Sequence, residues 1–228
     1  MKISEHVHDV VLNAKLPNGH AMPLHLSLIT DPLRGPTLID TGVPGMLDEL
    51  RAALLAEGVE LKEIKRVLVS HHDLDHVGLL AEVVRESGAQ VWTSAGEQPF
   101  VEGAQSPQKQ PGTPPLEALK GIQVSRILQD GERLDFAGGV RVVATPGHTI
   151  GHLSFLVEQD GVLISGDALT SDGGVLGGPN PLYTADVPGA QKSVDNLVTL
   201  PITSVQTYHG GYVSADAMAQ LQRLSTGQ

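Results

Sequence analysis

The chain has 228 residues, no cysteine and a formal net charge of -11. That length can bury a full core, and the missing cysteine excludes disulfides, thiolate ligands and thiol nucleophiles. The acidic balance weighs against nucleic acid and anionic membrane faces as partners, and a start of Met1-Lys2-Ile3-Ser4-Glu5-His6 without a cationic, apolar leader or spanning run leads us to expect a soluble cytoplasmic protein.

The first predicted elements are short strands at Leu24 to Ile29 and Thr37 to Ile39, separated by the turn residues Asp31-Pro32-Leu33-Arg34-Gly35-Pro36. Met46 to Glu57 reads as a helix with Leu47, Leu50 and Leu54 on one face and Gly58 past its end. A strand at Arg66 to Ser70 runs straight into a histidine cluster; a helix at Leu79 to Glu86 and a strand at Gln90 to Thr93 follow. Val101 to Pro115 is rich in Gly, Pro and Gln, has no periodicity and reads as a loop. Short apolar runs at Ile122 to Leu128, Val140 to Ala144, Leu153 to Val157 and Val162 to Ser165 read as strands of a packed sheet. A helix at Ala190 to Thr199, a strand at Thr203 to Thr207 and a helix at Ala215 to Leu224 close the chain. Mixed strands and helices throughout imply sheets covered by helices, an α/β or α+β chain of one domain over residues 1–228.

Five segments stand out: His71-His72-Asp73-Leu74-Asp75-His76, Thr145-Pro146-Gly147-His148, Ser165-Gly166-Asp167, Tyr208-His209-Gly210-Gly211 and Ile39-Asp40-Thr41-Gly42. In most of them an apolar strand ends and a His or Asp appears at its end or in the next turn. Strand ends present side chains to a shared cleft without breaking the core. His with carboxylate is the ordinary ligand set of zinc and its first-row neighbours. A solitary His is commonly a surface or satisfied core residue, and His6, His8, His20 and His25 are read that way. Three His and two Asp in six residues form a dense knot of charge that a bound cation relieves.

These segments, in this order, resemble the metallo-β-lactamase superfamily, whose pattern is His-x-His-x-Asp-His after a strand, then Gly-His, Gly-Asp and a final His. The resemblance runs from Asp40 to His209 and implies a four-layer αβ/βα sandwich. It also implies a binuclear site. His71, Asp73 and His148 would bind one metal; Asp75, His76 and His209 would bind the second; Asp167 would bridge them. Asp40 would support the site from behind the ligands, and His72 falls at a non-ligand position. The sequence departs from the family at Asp73, where the family has its second His, and at Tyr208-His209-Gly210-Gly211, where Gly-His-Gly is usual. The carboxylate at Asp73 leaves open zinc, manganese or iron in the first site.

The expected enzyme is a metal-dependent hydrolase in which two divalent cations share one hydroxide of lowered pKa. Asp75 is the catalytic candidate for relaying the proton. His152 reads equally as a support for the site or a surface residue. Tyr183 is placed to stabilise an oxyanion, with packing as its plainer role. The substrate is expected to be a small ester, lactone, thioester or phosphodiester, although a chain that ends soon after His209 lacks the helical extension of glyoxalase II-type thioesterases. Three rivals stand beside this reading. An iron-dependent oxidoreductase of the same fold also carries a carboxylate at the second His position. A zincin-like protease would need His72 and His76 on one helical face. A non-catalytic binding module would not need so complete a ligand set.

Overall fold

The computed structural model describes residues 1–15, 19 and 21–226; His20 lies outside them. The first half of the chain makes β1 (Val7–Lys15), β2 (Ala21–Ile29), β3 (Thr37–Ile39), α1 (Leu47–Ala56), β4 (Arg66–Leu68), α2 (Leu74–Val77), α3 (Leu80–Ser87), β5 (Gln90–Ser94), α4 (Gln98–Val101) and β6 (Val124–Leu128). Its six strands lie side by side in chain order, antiparallel from β1 to β3 and parallel from β3 to β6. The second half adds β7 (Arg133–Leu134), β8 (Val140–Ala144), β9 (Leu153–Val157), β10 (Val162–Gly166), β11 (Thr170–Asp172), β12 (Val175–Gly177), α5 (Val187–Leu197), β13 (Ser204–Thr207), β14 (Gly211–Val213) and α6 (Ala217–Thr226). Here the order is β14-β13-β10-β9-β8-β7, with β11 and β12 as a separate ribbon.

Three apolar clusters define the layers. Alternation along a strand sends neighbours to opposite faces, so Leu68 of β4 meets Phe155 and Val157 of β9 between the sheets, while Val67 points outward. Val67 joins Leu50 and Leu54 of α1 and Leu80 and Val83 of α3 in an outer cluster. On the far side Leu156 and Leu163 pack against Val194 and Leu197 of α5 and Leu221 of α6. The result is helices, sheet, sheet, helices. Leu50 and Leu54 are fully buried, and each such leucine contributes about 2 kcal/mol by removal from water.

The chain departs from the sequence expectations at several element ends. Strand β1 has no counterpart among the predicted elements, and β2 begins three residues before Leu24. β4 stops at Leu68 because the Ser70 N–H leaves the ladder and donates to Asp40 Oδ1 at 2.8 Å. β6 starts at Val124, since the Ile122 N–H closes a turn onto Leu119 O. α5 starts at Val187 because Asp186 caps it by accepting from Gly189 N–H, and Pro188 is tolerated in a first turn. α6 begins at Ala217, after Asp216 at φ 50°. The loop expected over Val101 to Pro115 begins one residue later, because Val101 closes α4; residues 102–116 contain neither helix nor strand. No described helix is long and apolar enough to cross a membrane.

Candidate metal centre

Asp40, the His71 to His76 segment, His148, Asp167 and His209 follow β3, β4, β8, β10 and β13 and meet along one edge of the two sheets. Asp40 holds the left-handed conformation at φ 61°, which Asp tolerates better than most residues. In that pose its Oδ2 accepts from Ser70 Oγ at 2.7 Å and from His76 Nδ1 at 2.8 Å. Ser70 Oγ in turn accepts from His71 Nδ1 at 3.0 Å. This chain of acceptors makes Nδ1 the donor on both rings and turns both Nε2 atoms toward the cluster.

Two turns need glycine for this convergence. Gly166 has φ 51°, and a Cβ there would lie 2.9 Å from His152 Nε2. Gly147 has φ 133° and sits against the backbone of Ala190, which lets the turn carrying His148 pack on α5.

Seven side chains form two groups. His71, Asp73, His148 and Asp167 make the first; Asp75, His76 and His209 make the second. In the first, Asp73 Oδ2 lies 3.3 Å from His71 Nε2 and 3.1 Å from His148 Nε2. In the second, Asp75 Oδ2 lies 3.3 Å from His209 Nε2 and 3.8 Å from His76 Nε2. Asp167 stands between them: Oδ2 is 3.4 Å from His148 Nε2 and 3.5 Å from His209 Nε2, and Oδ1 is 3.4 Å from His76 Nε2. A tetrahedral ion with bonds of about 2.0–2.1 Å sets its ligands roughly 3.3 Å apart. His71 Nε2, His76 Nε2 and Asp167 Oδ1 are buried without a hydrogen-bond partner. Orphans of that kind cost about 1–3 kcal/mol each, so the donor set fits divalent cations.

The electrostatics agree. Burial pushes His71 well below the ordinary imidazole range, and the neighbouring His76 adds to this. Burial opposes protonation of His76, yet Asp167, Asp40 and Asp75 raise it well above that range. Burial would also raise the Asp167 carboxyl, but His76 and His209 hold it well below the usual carboxylate range. The site is thus a buried knot of coupled charge.

The remaining expected residues fall as follows. His152 is fully buried behind the cluster, where its Nδ1 meets Thr145 Oγ1 at 2.8 Å and its Nε2 accepts from Asp167 N–H at 3.1 Å. It thereby fixes the Asp167 turn and is no surface residue. Tyr183 is 64% exposed on the rim of a cavity of about 620 Å³ that also reaches Asp73, Asp75, Asp167 and His209. His72 turns away: its Nδ1 bonds Glu97, its Nε2 accepts from Gln108 N–H, and its ring stacks on Phe100 at 4.1 Å. It precedes α2, so His72 and His76 do not share a helical face and the zincin-like geometry is not formed. His6, His8 and His25 pair with Asp160, Glu57 and Asp9 respectively, outside both groups.

Three residues given no role in the sequence reading, Tyr208 among them, support or enter the site. Tyr208 stacks on His76 at 3.8 Å and donates its hydroxyl to Asp75 O. Glu97, fully buried, receives His72, Thr149 Oγ1 and Gly151 N–H. Lys109 donates from Nζ to Asp73 Oδ2 and, at 2.8 Å, to His148 Nε2. The aromatic beside His209 was the one local signal among them.

Residues 27–209 match the family model described as the metallo-beta-lactamase superfamily. The chain is 28% identical over 200 residues to the probable metallo-hydrolase YflN of Bacillus subtilis (strain 168), covering 76% of this chain and 74% of that one. It is 30% identical over 164 residues to hydroxyacylglutathione hydrolase GloC of Haemophilus influenzae, covering 71% and 74%. With the hydroxyacylglutathione hydrolase of Methylobacillus flagellatus identity is 32%, over 71% of this chain, and the chain spans about half (53%) of that relative's length. Among solved structures, a metallo-beta-lactamase family protein from Thermus thermophilus superposes with a TM-score of 0.74 at 24% identity, covering 99% of this chain and 80% of the other. A beta-lactamase from Chitinophaga pinensis gives 0.74 at 22% identity, covering 100% and 89%.

Proposed function

The chain belongs to the metallo-beta-lactamase superfamily, and from that membership we propose that its two ligand groups hold two divalent cations and hydrolyse a small acyl substrate, thioesters being the leading class. The observation that supports this most directly is the meeting of seven donors around Asp167, with the Nε2 atoms of His71 and His76 buried and unpartnered. His71, Asp73 and His148 would hold one cation, Asp75, His76 and His209 the other, with Asp167 between them. When bound, such a pair supplies Lewis acidity and a hydroxide nucleophile near neutral pH. The chain's own residues do the rest. The Asp167 carboxylate would offset repulsion between the cations. Asp40 and Ser70 hold the rings of His76 and His71 in one tautomer. Asp75 faces the cavity, where its carboxylate would accept the proton given up by the attacking water. Tyr183, on the cavity rim, donates its hydroxyl to the substrate oxygen that gains charge.

Thioesters lead because several relatives at about 30% identity are named hydroxyacylglutathione hydrolases. The same reading makes residues 1–228 one catalytic domain acting on a small molecule in the cytoplasm, with zinc, manganese or iron as its metals. The experiment is a rate panel over thioesters, esters, lactones and phosphodiesters with elemental analysis of the same sample. We expect about two first-row metals per chain, fastest turnover of thioesters, and loss of activity on chelation and in Asp167→Ala. Undiminished turnover by metal-free protein would overturn the metal reading. Faster cleavage of another class would overturn the thioester assignment alone.

A further inference from the structure

The loop of residues 102–116 does not merely border the cluster; it enters it. Lys109 Nζ donates to Asp73 Oδ2 and His148 Nε2. Those are lone pairs that the first group would offer to a cation. The placement is built from both sides. Gln108 N–H donates to His72 Nε2 at 3.0 Å, and Gln108 Oε1 accepts from Ile150 N–H at 2.8 Å. His72 is braced by Glu97, whose Oε1 also accepts from Thr149 Oγ1 at 2.6 Å and Gly151 N–H at 3.0 Å. Two successive residues therefore pin the loop, one to the His72–Glu97 pair and one to the ligands themselves. The Lys109 side chain is 20% exposed, so it is packed into the site rather than trailing in solvent.

A nitrogen lone pair that accepts an N–H cannot also coordinate a metal, and two cations held against one Asp73 oxygen repel each other. We propose that Lys109 is a tethered ammonium that competes with metal for the first ligand group, so that filling this group requires residues 105–115 to lift. The proposal rests on the metal-centre reading above. It gives the braced, non-ligating His72 a purpose: it sets how firmly the loop is held down. It also makes the two groups unequal. Among the described residues, no lysine or arginine pairs with Asp75, so the second group loads without competition and the first loads later. If the lifted form is about a tenth of the population, the apparent affinity of the first group is lowered tenfold.

The test is a chelator-competition titration of metal-free protein with zinc and with manganese, on wild type and Lys109→Met, joined to hydrogen exchange over residues 105–115. In wild type we expect two binding steps, with exchange in the loop rising at the second step. In Lys109→Met the weaker step should tighten about tenfold or more and the stronger step stay within about twofold. Before any metal is added, loop exchange should exceed that of wild type, with the Gln108 contacts still in place. Should Lys109→Met fail to fold, the wild-type exchange response alone decides. Two steps that ignore Lys109→Met, a step that weakens in it, or wild-type exchange that stays flat would each overturn the proposal while leaving the binuclear reading intact. A protein that takes up no metal in either step would overturn both.

Discussion

Asp40 Oδ2 and His76 Nδ1 lie 2.8 Å apart across 36 positions of the chain. The carboxylate reaches that ring only because Asp40 leaves β3 in a left-handed conformation at φ 61°. The same carboxylate takes the Ser70 N–H and Oγ–H, so one residue orients the rings at both ends of the His71 to His76 segment.

Asp40→Asn keeps the size and tolerates the backbone angle, but it removes the charge and one acceptor. Metal affinity should fall about 10–100-fold, the usual effect of losing a partner behind a ligand, with the seven donors untouched. Competition titration of the metal-free variant checks this. Wild-type affinity would show that Asp40 serves the fold alone.

His72→Ala should leave metal stoichiometry unchanged, because the ring faces Glu97 and not the cluster. It should nevertheless destabilise the protein. The buried Glu97 oxygen keeps only the His72 N–H at 3.0 Å, and Gln108 N–H loses its acceptor. Stranded polar groups of this kind cost about 1–3 kcal/mol, a drop in Tm of roughly 2–12 °C for a chain of this size. Thermal melts with metal analysis of the same sample separate this from a ligand loss.

Asp73→His exchanges an anionic oxygen donor for a neutral nitrogen. Oxygen donors favour manganese and iron(II), nitrogen-rich sites favour zinc. Wild type reconstituted with manganese or iron should therefore be at least as active as with zinc, and the variant should shift toward zinc. The substitution also removes the negative charge that pairs with Lys109, so the variant should bind its first-group metal with less interference from the loop. Identical preference in both proteins would mean that Asp73 does not tune the site.

Metal uptake at the second group should release protons, because, against the opposing effect of burial, Asp167, Asp40 and Asp75 raise His76 well above the imidazole range and His209 is raised too. Burial opposes protonation of His209, but its hydrogen bonds to Asp167 and Asp75 raise it to about 9 in the metal-free protein. At neutral pH the ring is then an imidazolium, while a ligand must be neutral. Affinity should rise with pH through about 9 as His209 loses its proton. The folding contribution has the opposite sign: a raised pKa stabilises the metal-free fold fully below the unfolded value and loses that contribution as pH climbs through about 9. Calorimetry of metal binding in buffers of different ionisation heat measures the protons released.

The gathering of the candidate ligands was legible because they stand just past strand ends, four after β4 and one each after β8, β10 and β13, and strand ends are local features. β8 and β9 were legible because Val140–Ala144 carries three valines, Leu153–Val157 is apolar at all but Ser154, and Gly or polar turns bound both. β1 was not legible, although Val10, Leu12 and Ala14 are buried and Val11, Asn13 and Lys15 are exposed. Its first residues break the alternation, since His8 and Asp9 are buried by pairing with Glu57 and His25. Lys109 and Glu97 gave no local sign at all. Lys109 reaches Asp73 across 36 positions, and Glu97 reaches His72 across 25. Only the folded chain brings those partners together.

All six strands of the first sheet come from residues before Gln129, and all six of the second from residues after it. His71, Asp73, Asp75 and His76 therefore belong to one half of the polypeptide, and His148, Asp167 and His209 to the other. Neither half owns a complete set of donors. A cut at the Asp130-Gly131 turn should therefore leave neither fragment with the full donor set, and metal uptake should return only where the two pieces recombine.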